Sequence, residues 1–222
     1  MDQSYQAWHQ RGYQGQGVII DVLEASATDS HGRGVIHVIR QIAPRSIITQ
    51  KPYNLVSLQE SKANLINISL DIGGYRYRPQ YEADAVNRGI SLIIAAGNQG
   101  KGKLSPNAKS SQGIIVGAVH YQPQYRRFVR PRYSAYDEGF PHVVAPSKEF
   151  MLGEKELVGT SYSAAAVTGM LACWFQWFYQ QWGHYPTPAE TQSFVFNYAS
   201  PLPDIGTGAG VFLLPAPELF LE

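Results

Sequence analysis

An α/β fold, a three-layer sandwich with a mostly parallel central sheet and helices on both faces, is what three features of the sequence predict. Short β-branched apolar runs alternate with helix-length segments along most of the chain. The clearest runs, Val18-Ile19-Ile20-Asp21-Val22-Leu23 and Ile90-Ser91-Leu92-Ile93-Ile94-Ala95-Ala96, are of the kind buried inside a parallel sheet. The stretch from Ser163 through Ala172 to Phe175 is small and apolar, as suits a helix enclosed on most sides.

Taken in order, Ser4 to Tyr13 reads as a short amphipathic helix ending at Gly12, followed by the turn Gln14-Gly15-Gln16-Gly17. The first strand, Val18 to Leu23, breaks into polar loop from Glu24 to Ser30 and carries Asp21 near its carboxyl end. A carboxylate there needs hydrogen bonds or a function, because an unpaired buried charge is expensive. His31 to Ile42 reads as a helix with Val35, Ile36, Val38, Ile39 and Ile42 at its apolar positions, stopped by Ala43-Pro44. Ile47 to Thr49 is a second strand, Leu55 to Lys62 a short helix and Asn64 to Leu70 a third strand. After a turn at Gly73-Gly74, Tyr81 to Arg88 forms a helix, and the strand Ile90 to Ala96 ends at Gly97-Asn98. Gly113 to Val119 and Val143 to Ala145 are further strands, separated by a loop-rich segment whose basic run, Arg126 to Arg132, reads as a solvated hairpin. The long helix closes near Gln180, and Thr187 to Asn197 makes another, with Pro188 and Glu190 in its first turn.

A chain of 222 residues suits one well-cored domain, spanning 1–222, better than two. Lys and Arg number 18 against 17 Asp and Glu, so no global charge draws the chain to nucleic acid or an acidic membrane. The single cysteine, Cys173, lies in the apolar helix and implies no oxidising compartment. The polar start, Met1 to Gln6, lacks the apolar run of a signal peptide, and nowhere do eighteen apolar residues run together. The expectation is a cytoplasmic protein, with an excised domain of a larger or exported protein left open.

The turn Gly159-Thr160 delivers Ser161 to a helix N-terminus, where unpaired N–H groups can hold an oxyanion, and where a serine also serves simply as a cap. The carboxyl ends of strands and the N-termini of helices carry Asp21, His31, Asn98 and Ser161. Together these supply serine acyl transfer with an orienting carboxylate, a base, an oxyanion donor and a nucleophile.

At this point the segments resemble those of the subtilisin-like serine proteases, over nearly the whole chain. Gly17 to Asp21 is similar to the family's aspartate strand, His31-Gly32-Arg33-Gly34-Val35 to its histidine helix, and Asn67-Ile68-Ser69-Leu70 to its substrate-side strand. Ala95-Ala96-Gly97-Asn98 resembles the oxyanion asparagine, and Gly159-Thr160-Ser161-Tyr162-Ser163-Ala164 the nucleophile elbow. The resemblance implies a serine endopeptidase with Asp21, His31 and Ser161 catalytic, and Asn98 with the Ser161 N–H as the oxyanion hole. It implies a peptide or protein substrate lying against Ser69, Leu70, Gly73, Gly74, Ala95, Ala96 and Gly97. Neither a cofactor nor a metal is expected, since much of the family's calcium-loop material is missing.

The sequence also departs from the family's pattern. Gly32-Arg33 stands where Gly-Thr usually follows the histidine, and Ala165 stands where a proline usually follows the serine by four residues. Arg33 would depress the His31 pKa if it pointed inward. Asp29 is a rival for the orienting role and His37 a rival base. The trimmed loops suggest a dedicated peptide-processing enzyme. A pseudoprotease acting as a peptide-binding or scaffold domain is one alternative, and a transpeptidase or macrocyclase using the same residues is another.

Overall fold

The computed structural model describes residues 2–70, 79–104, 109, 111–148, 150–203 and 206–220. Its frame is a nine-stranded sheet formed by β1 (Ile19–Glu24), β2 (Ile47–Pro52), β3 (Leu65–Ile68), β4 (Ser91–Ala95), β5 (Ile114–Gln122), β6 (Arg127–Val129), β7 (Val143–Pro146), β10 (Ala199–Ser200) and β11 (Val211–Phe212). The order across the sheet is β10-β11-β7-β5-β4-β3-β1-β2, with β6 paired to β5. All neighbours along that path are parallel except β10 and β11, and the β5–β6 pair is antiparallel. Since β1 lies between β2 and β3, the chain leaves it in one direction and returns on its other side. That reversal opens a crevice beyond the carboxyl ends of β1 and β3, where ligands bind in open α/β sheets.

Strand parity sorts the side chains into two cores. Val18, Ile20, Val22, Leu65, Ile93, Ala95, Ile114, Val116, Val143 and Ala145 enter one, with residues of α1 (Asp2–Gln10), α2 (Ser30–Ile42), α5 (Thr160–Trp182) and α6 (Pro188–Asn197). Leu23, Ile66, Ile68, Leu92, Ile94 and Ile115 enter the other, with Leu58 of α3 (Leu55–Gln59) and Ala85 of α4 (Pro79–Asn87). The alternation follows from the two-residue period of a strand, so continuous apolar runs were required to feed both faces. The predicted three-layer fold is the one observed.

The central helix α5 is buried from Thr160 through Phe178 and packs along α2. Gly169 permits the contact: a Cβ there would fall 2.9 Å from the Ile42 Cβ and 3.3 Å from the Ile39 carbonyl oxygen. The helix ends at Gly183 in the left-handed region (φ 72°), which glycine adopts without steric cost. α6 has Pro188 and Glu190 in its first turn, as expected, and Thr187 stands outside it as the N-cap, forming a capping box with Glu190.

Several boundaries differ from the sequence reading. α3 ends at Gln59, short of Lys62, and α5 begins at Thr160, so Ser161 lies within its first turn. β5 runs on to Gln122 and pairs with β6, making the basic run part of a hairpin. The separate hairpin of β8 (Phe150–Leu152) and β9 (Lys155–Leu157) was not foreseen, and neither was the short edge pair β10–β11. Strands of two or three residues carry too little periodicity to stand out.

Candidate active site

The carboxyl end of β1 and the start of α2 meet in one carboxylate–imidazole contact. Glu24, the last residue of β1, is 1% exposed, and its Oε1 lies 3.1 Å from His31 Nδ1. His31 is the second residue of α2, and its side chain remains 37% exposed. Asp29 caps that helix by accepting the His31 backbone N–H at 2.7 Å. The Glu24 hydrogen bond raises the His31 pKa, against a lowering by burial, and the charges of Glu24 and Asp29 add to the rise.

Asp21, expected to orient His31, does not face it. Its Oδ2 accepts from Lys51 Nζ at 2.7 Å and from Ser61 Oγ at 2.6 Å. The reason is parity. Ile20, Val22 and Glu24 project toward the layer that contains α2, whereas Asp21 and Leu23 project toward α3 and α4. Glu24 was missed because it was read as the first loop residue. The available signal was its even spacing from Ile20 and Val22, on the face that the helix carrying His31 must cover.

The two rivals are otherwise occupied: Asp29 is the cap of α2, and His37 Nε2 sits 2.7 Å from the Met151 carbonyl, tying α2 to β8. Arg33 is exposed and leaves the rise in the His31 pKa in place.

Gly159 precedes α5 with φ 140° and ψ 161°, a conformation essentially confined to glycine, and so turns the chain sharply into the helix. Its backbone also hydrogen-bonds to the Tyr133 hydroxyl, which lies 2.8 Å from Ser147 Oγ and 3.0 Å from His120 Nε2. This partly buried polar group anchors the turn from behind. Ser161 follows in the first turn of α5, 6% exposed, and its hydroxyl donates to the Ser69 carbonyl at 3.2 Å. A hydroxyl has one proton, and turning about the Cβ–Oγ bond can redirect it from the Ser69 carbonyl.

Asn98 is held by the same turn. Its Oδ1 accepts from Thr160 N at 3.0 Å and from Thr160 Oγ1 at 3.1 Å, and Thr160 Oγ1 accepts in turn from Gly97 N at 3.1 Å. With the oxygen end fixed by two donors, the amide N–H₂ is the end left to act on a ligand. Beneath the site, Ser69 Oγ lies 2.7 Å from Asn67 Oδ1, and Asn67 Nδ2 donates to Thr168 Oγ1 at 2.9 Å, locking the end of β3 to α5.

Of the expected substrate wall, Ser69 is buried beside Ser161 and Leu70 packs at the edge of the second core. Ala95 ends β4, while the Ala96 N–H donates to the Val116 carbonyl at 2.9 Å and the Gly97 carbonyl accepts from Ala135 N at 2.9 Å. Those two backbone groups are committed within the protein. Gly73 and Gly74 lie outside the described residues.

A carboxylate on an imidazole, a serine at a helix N-terminus and a fixed carboxamide are the kinds of group that nucleophilic acyl transfer uses. Glu24, Asp29 and His31 also place one potential ligand atom each within 4.8 Å of one another. No helix among the described residues is long and apolar enough to cross a membrane.

The sequence and the fold of this chain match those of known proteins. The Subtilase family model matches residues 26–210, a span that includes His31, Asn98 and Ser161 and begins beyond Asp21 and Glu24. Subtilisin-like protease 2 of Arthroderma otae is 29% identical over 151 residues, covering 64% of this chain and 33% of that protein; the Trichophyton rubrum protein of the same name gives the same figures. The chain thus spans about a third of the length of the curated relatives it matches. Among solved structures, the prenylagaramide maturation protease PagA superposes with TM-score 0.73 at 18% identity, covering 96% of each chain. A lanthipeptide protease gives TM-score 0.75 at 14% identity, over 98% of this chain and 93% of its own. At these identities the structural likeness shows the fold, while the family match extends over most of the sequence. The chain belongs to the subtilase family.

Proposed function

We propose that this chain is a serine endopeptidase cleaving peptide bonds through an acyl-enzyme on Ser161, with His31 as general base and Glu24, in place of Asp21, as the orienting carboxylate. The observation that carries the reading is the 3.1 Å contact between Glu24 Oε1 and His31 Nδ1. It holds the Nδ1–H tautomer, which leaves Nε2 as the lone pair available to a serine.

In the proposed reaction Ser161 Oγ bonds to the scissile carbonyl carbon and gives its proton to His31 Nε2. The carbonyl π pair moves to oxygen, where Asn98 Nδ2 and the Ser161 N–H in the first turn of α5 stabilise it. When the pair returns, the C–N bond breaks and His31 protonates the departing amine. Water then repeats the sequence on the ester, losing its proton to His31 and releasing the acid and the Ser161 hydroxyl. Glu24 keeps its charge throughout and stabilises the transient imidazolium.

A dedicated peptide-processing role belongs to the same proposal. It is supported by the trimmed loops and by a fold shared with proteins named as maturation proteases, PagA and PatA. Residence in the cytoplasm is proposed with it, in keeping with a lone cysteine that is a buried free thiol.

Labelling with a fluorophosphonate tests the core of the reading. The wild-type chain should be modified at Ser161 and the Ser161→Ala variant should not; a folded wild-type chain that resists the probe overturns the assignment in favour of a peptide-binding pseudoprotease. Mass analysis of products from candidate peptides then separates hydrolysis from ring closure, whose product is lighter by one water.

A further inference from the structure

We infer that Tyr162 is a positioning residue that holds the His31 ring on Glu24. The inference rests on the triad proposed above and concerns a side chain to which that triad gives no task. Tyr162 directly follows Ser161, is 8% exposed, and sets its ring centroid 5.7 Å from that of His31 at an interplanar angle of 46°. It also reaches across to α2 at Gly34: a Cβ built there would meet Tyr162 Cε1 at 3.1 Å and the Tyr162 hydroxyl at 3.2 Å. Gly34 lies three residues after His31, on the same side of the helix. The absence of a side chain at Gly34 is therefore what allows the phenol to settle beside the imidazole.

The need for such a clamp is visible at Glu24. Oε1 makes the contact with His31, while Oε2 is buried with no hydrogen-bond partner among the described residues. One hydrogen bond fixes the distance between two side chains but leaves the imidazole free to swing about it. With 37% of its side chain exposed, His31 has room to turn toward solvent. The ring of Tyr162 closes the side facing α5. The phenol also feels the carboxylate: burial first, and then the Glu24 charge, raise its pKa, so both aromatic rings are gathered around one buried acid. A rigid ring at this place costs little conformational entropy, because only two torsions have to be fixed. The charged groups acting on His31 are Glu24 from β1, Asp29 at the cap of α2 and Lys155 from β9.

Steady-state kinetics and pH profiles of Tyr162→Ala, Tyr162→Leu and Tyr162→Phe test the assignment. Tyr162→Ala should lower kcat by roughly tenfold or more with KM little changed, as expected when an attacking constellation loses its geometry rather than its substrate. The acid limb of its kcat/KM profile should move down toward the ordinary imidazole value, because a loosened His31 loses part of its bond to Glu24. Tyr162→Phe keeps the ring and should stay within about threefold of wild type. Wild-type kcat and pH profile in Tyr162→Ala overturn the inference, as do equal losses in the Ala and Phe variants, which would assign the effect to the hydroxyl. If Tyr162→Ala does not fold by circular dichroism, Tyr162→Leu decides, and a folded Leu variant with wild-type kcat also overturns it. Failure of the two readings is distinguishable: absence of fluorophosphonate labelling in wild type removes the proposed triad, whereas equal labelling rates in wild type and Tyr162→Ala remove only the role of Tyr162.

Discussion

His31 Nδ1 lies 3.1 Å from Glu24 Oε1, while Asp21, three residues earlier on the same strand, bonds to Lys51 and Ser61 on the opposite face of the sheet. The two acids of β1 therefore have separable effects. Glu24→Gln should reduce kcat by about three to four orders of magnitude, the usual scale for losing an orienting carboxylate, with little change in melting temperature at a pH above the folded His31 pKa, where the charged pair no longer contributes. Asp21→Asn should do the reverse: it weakens a buried pair and should cost about 1–3 kcal/mol of stability while leaving kcat within a few-fold. Parallel denaturation and kinetic measurements on the two variants check this, and a kcat collapse confined to Asp21→Asn would return the orienting role to Asp21.

The pH dependence follows from the raised His31 pKa. The base must be neutral, so kcat/KM should fall as pH drops through a value above the ordinary imidazole pKa near 6.5. Stability runs the other way. A folded pKa above the unfolded one means that the protonated His31–Glu24 pair contributes fully below the unfolded value, and its contribution is lost as pH rises through the folded one. Glu24→Gln should shift the acid limb downward, which a pH–rate profile measured on both proteins will show.

Thr160 braces Asn98, the proposed oxyanion donor, through two hydrogen bonds to its Oδ1. Asn98→Ala should lower kcat by about 10²–10³-fold with KM nearly constant, the range for losing one oxyanion donor. Thr160→Val removes the hydroxyl that bridges Gly97 N and Asn98 Oδ1 but keeps the backbone N–H on Asn98. A smaller kcat loss, of order tenfold, should follow, and in the double variant the Thr160 effect should largely vanish. Additive effects in that cycle would show that Thr160 does not act through Asn98.

At Gly169 α5 lies against α2 with no room for a side chain, and Gly169→Ala would drive a methyl group into Ile42 and the Ile39 carbonyl. The overpacking should cost about 1–3 kcal/mol in chemical denaturation. Since α2 carries His31 and α5 carries Ser161, the same shift should lower kcat and slow fluorophosphonate labelling in the folded fraction. An unchanged labelling rate would mean that the helices separate without disturbing the site.

The fold was legible because its causes are local and periodic. Runs such as Val18 to Leu23 and Ile90 to Ala96 are apolar at successive positions because parallel strands feed two cores, and the small residues after Ser161 announce a helix enclosed by the sheet and α2. The places of His31, Asn98 and Ser161 were equally readable, since each stands at a break between an apolar run and a turn. Which carboxylate meets His31 was not, because that depends on which face of β1 the returning helix covers, and a one-residue change of parity exchanges the candidates. The contact of Tyr162 with Gly34 was likewise hidden, lying between residues far apart in sequence and visible only once α5 packs on α2. The sequence by itself determined the alternation of strands and helices and the set of chemical groups at their ends. Only the tertiary structure decided that Glu24 pairs with His31 and that Tyr162 lies against it, because pairing across a sheet and between helices is set by register and packing, which local patterns do not encode.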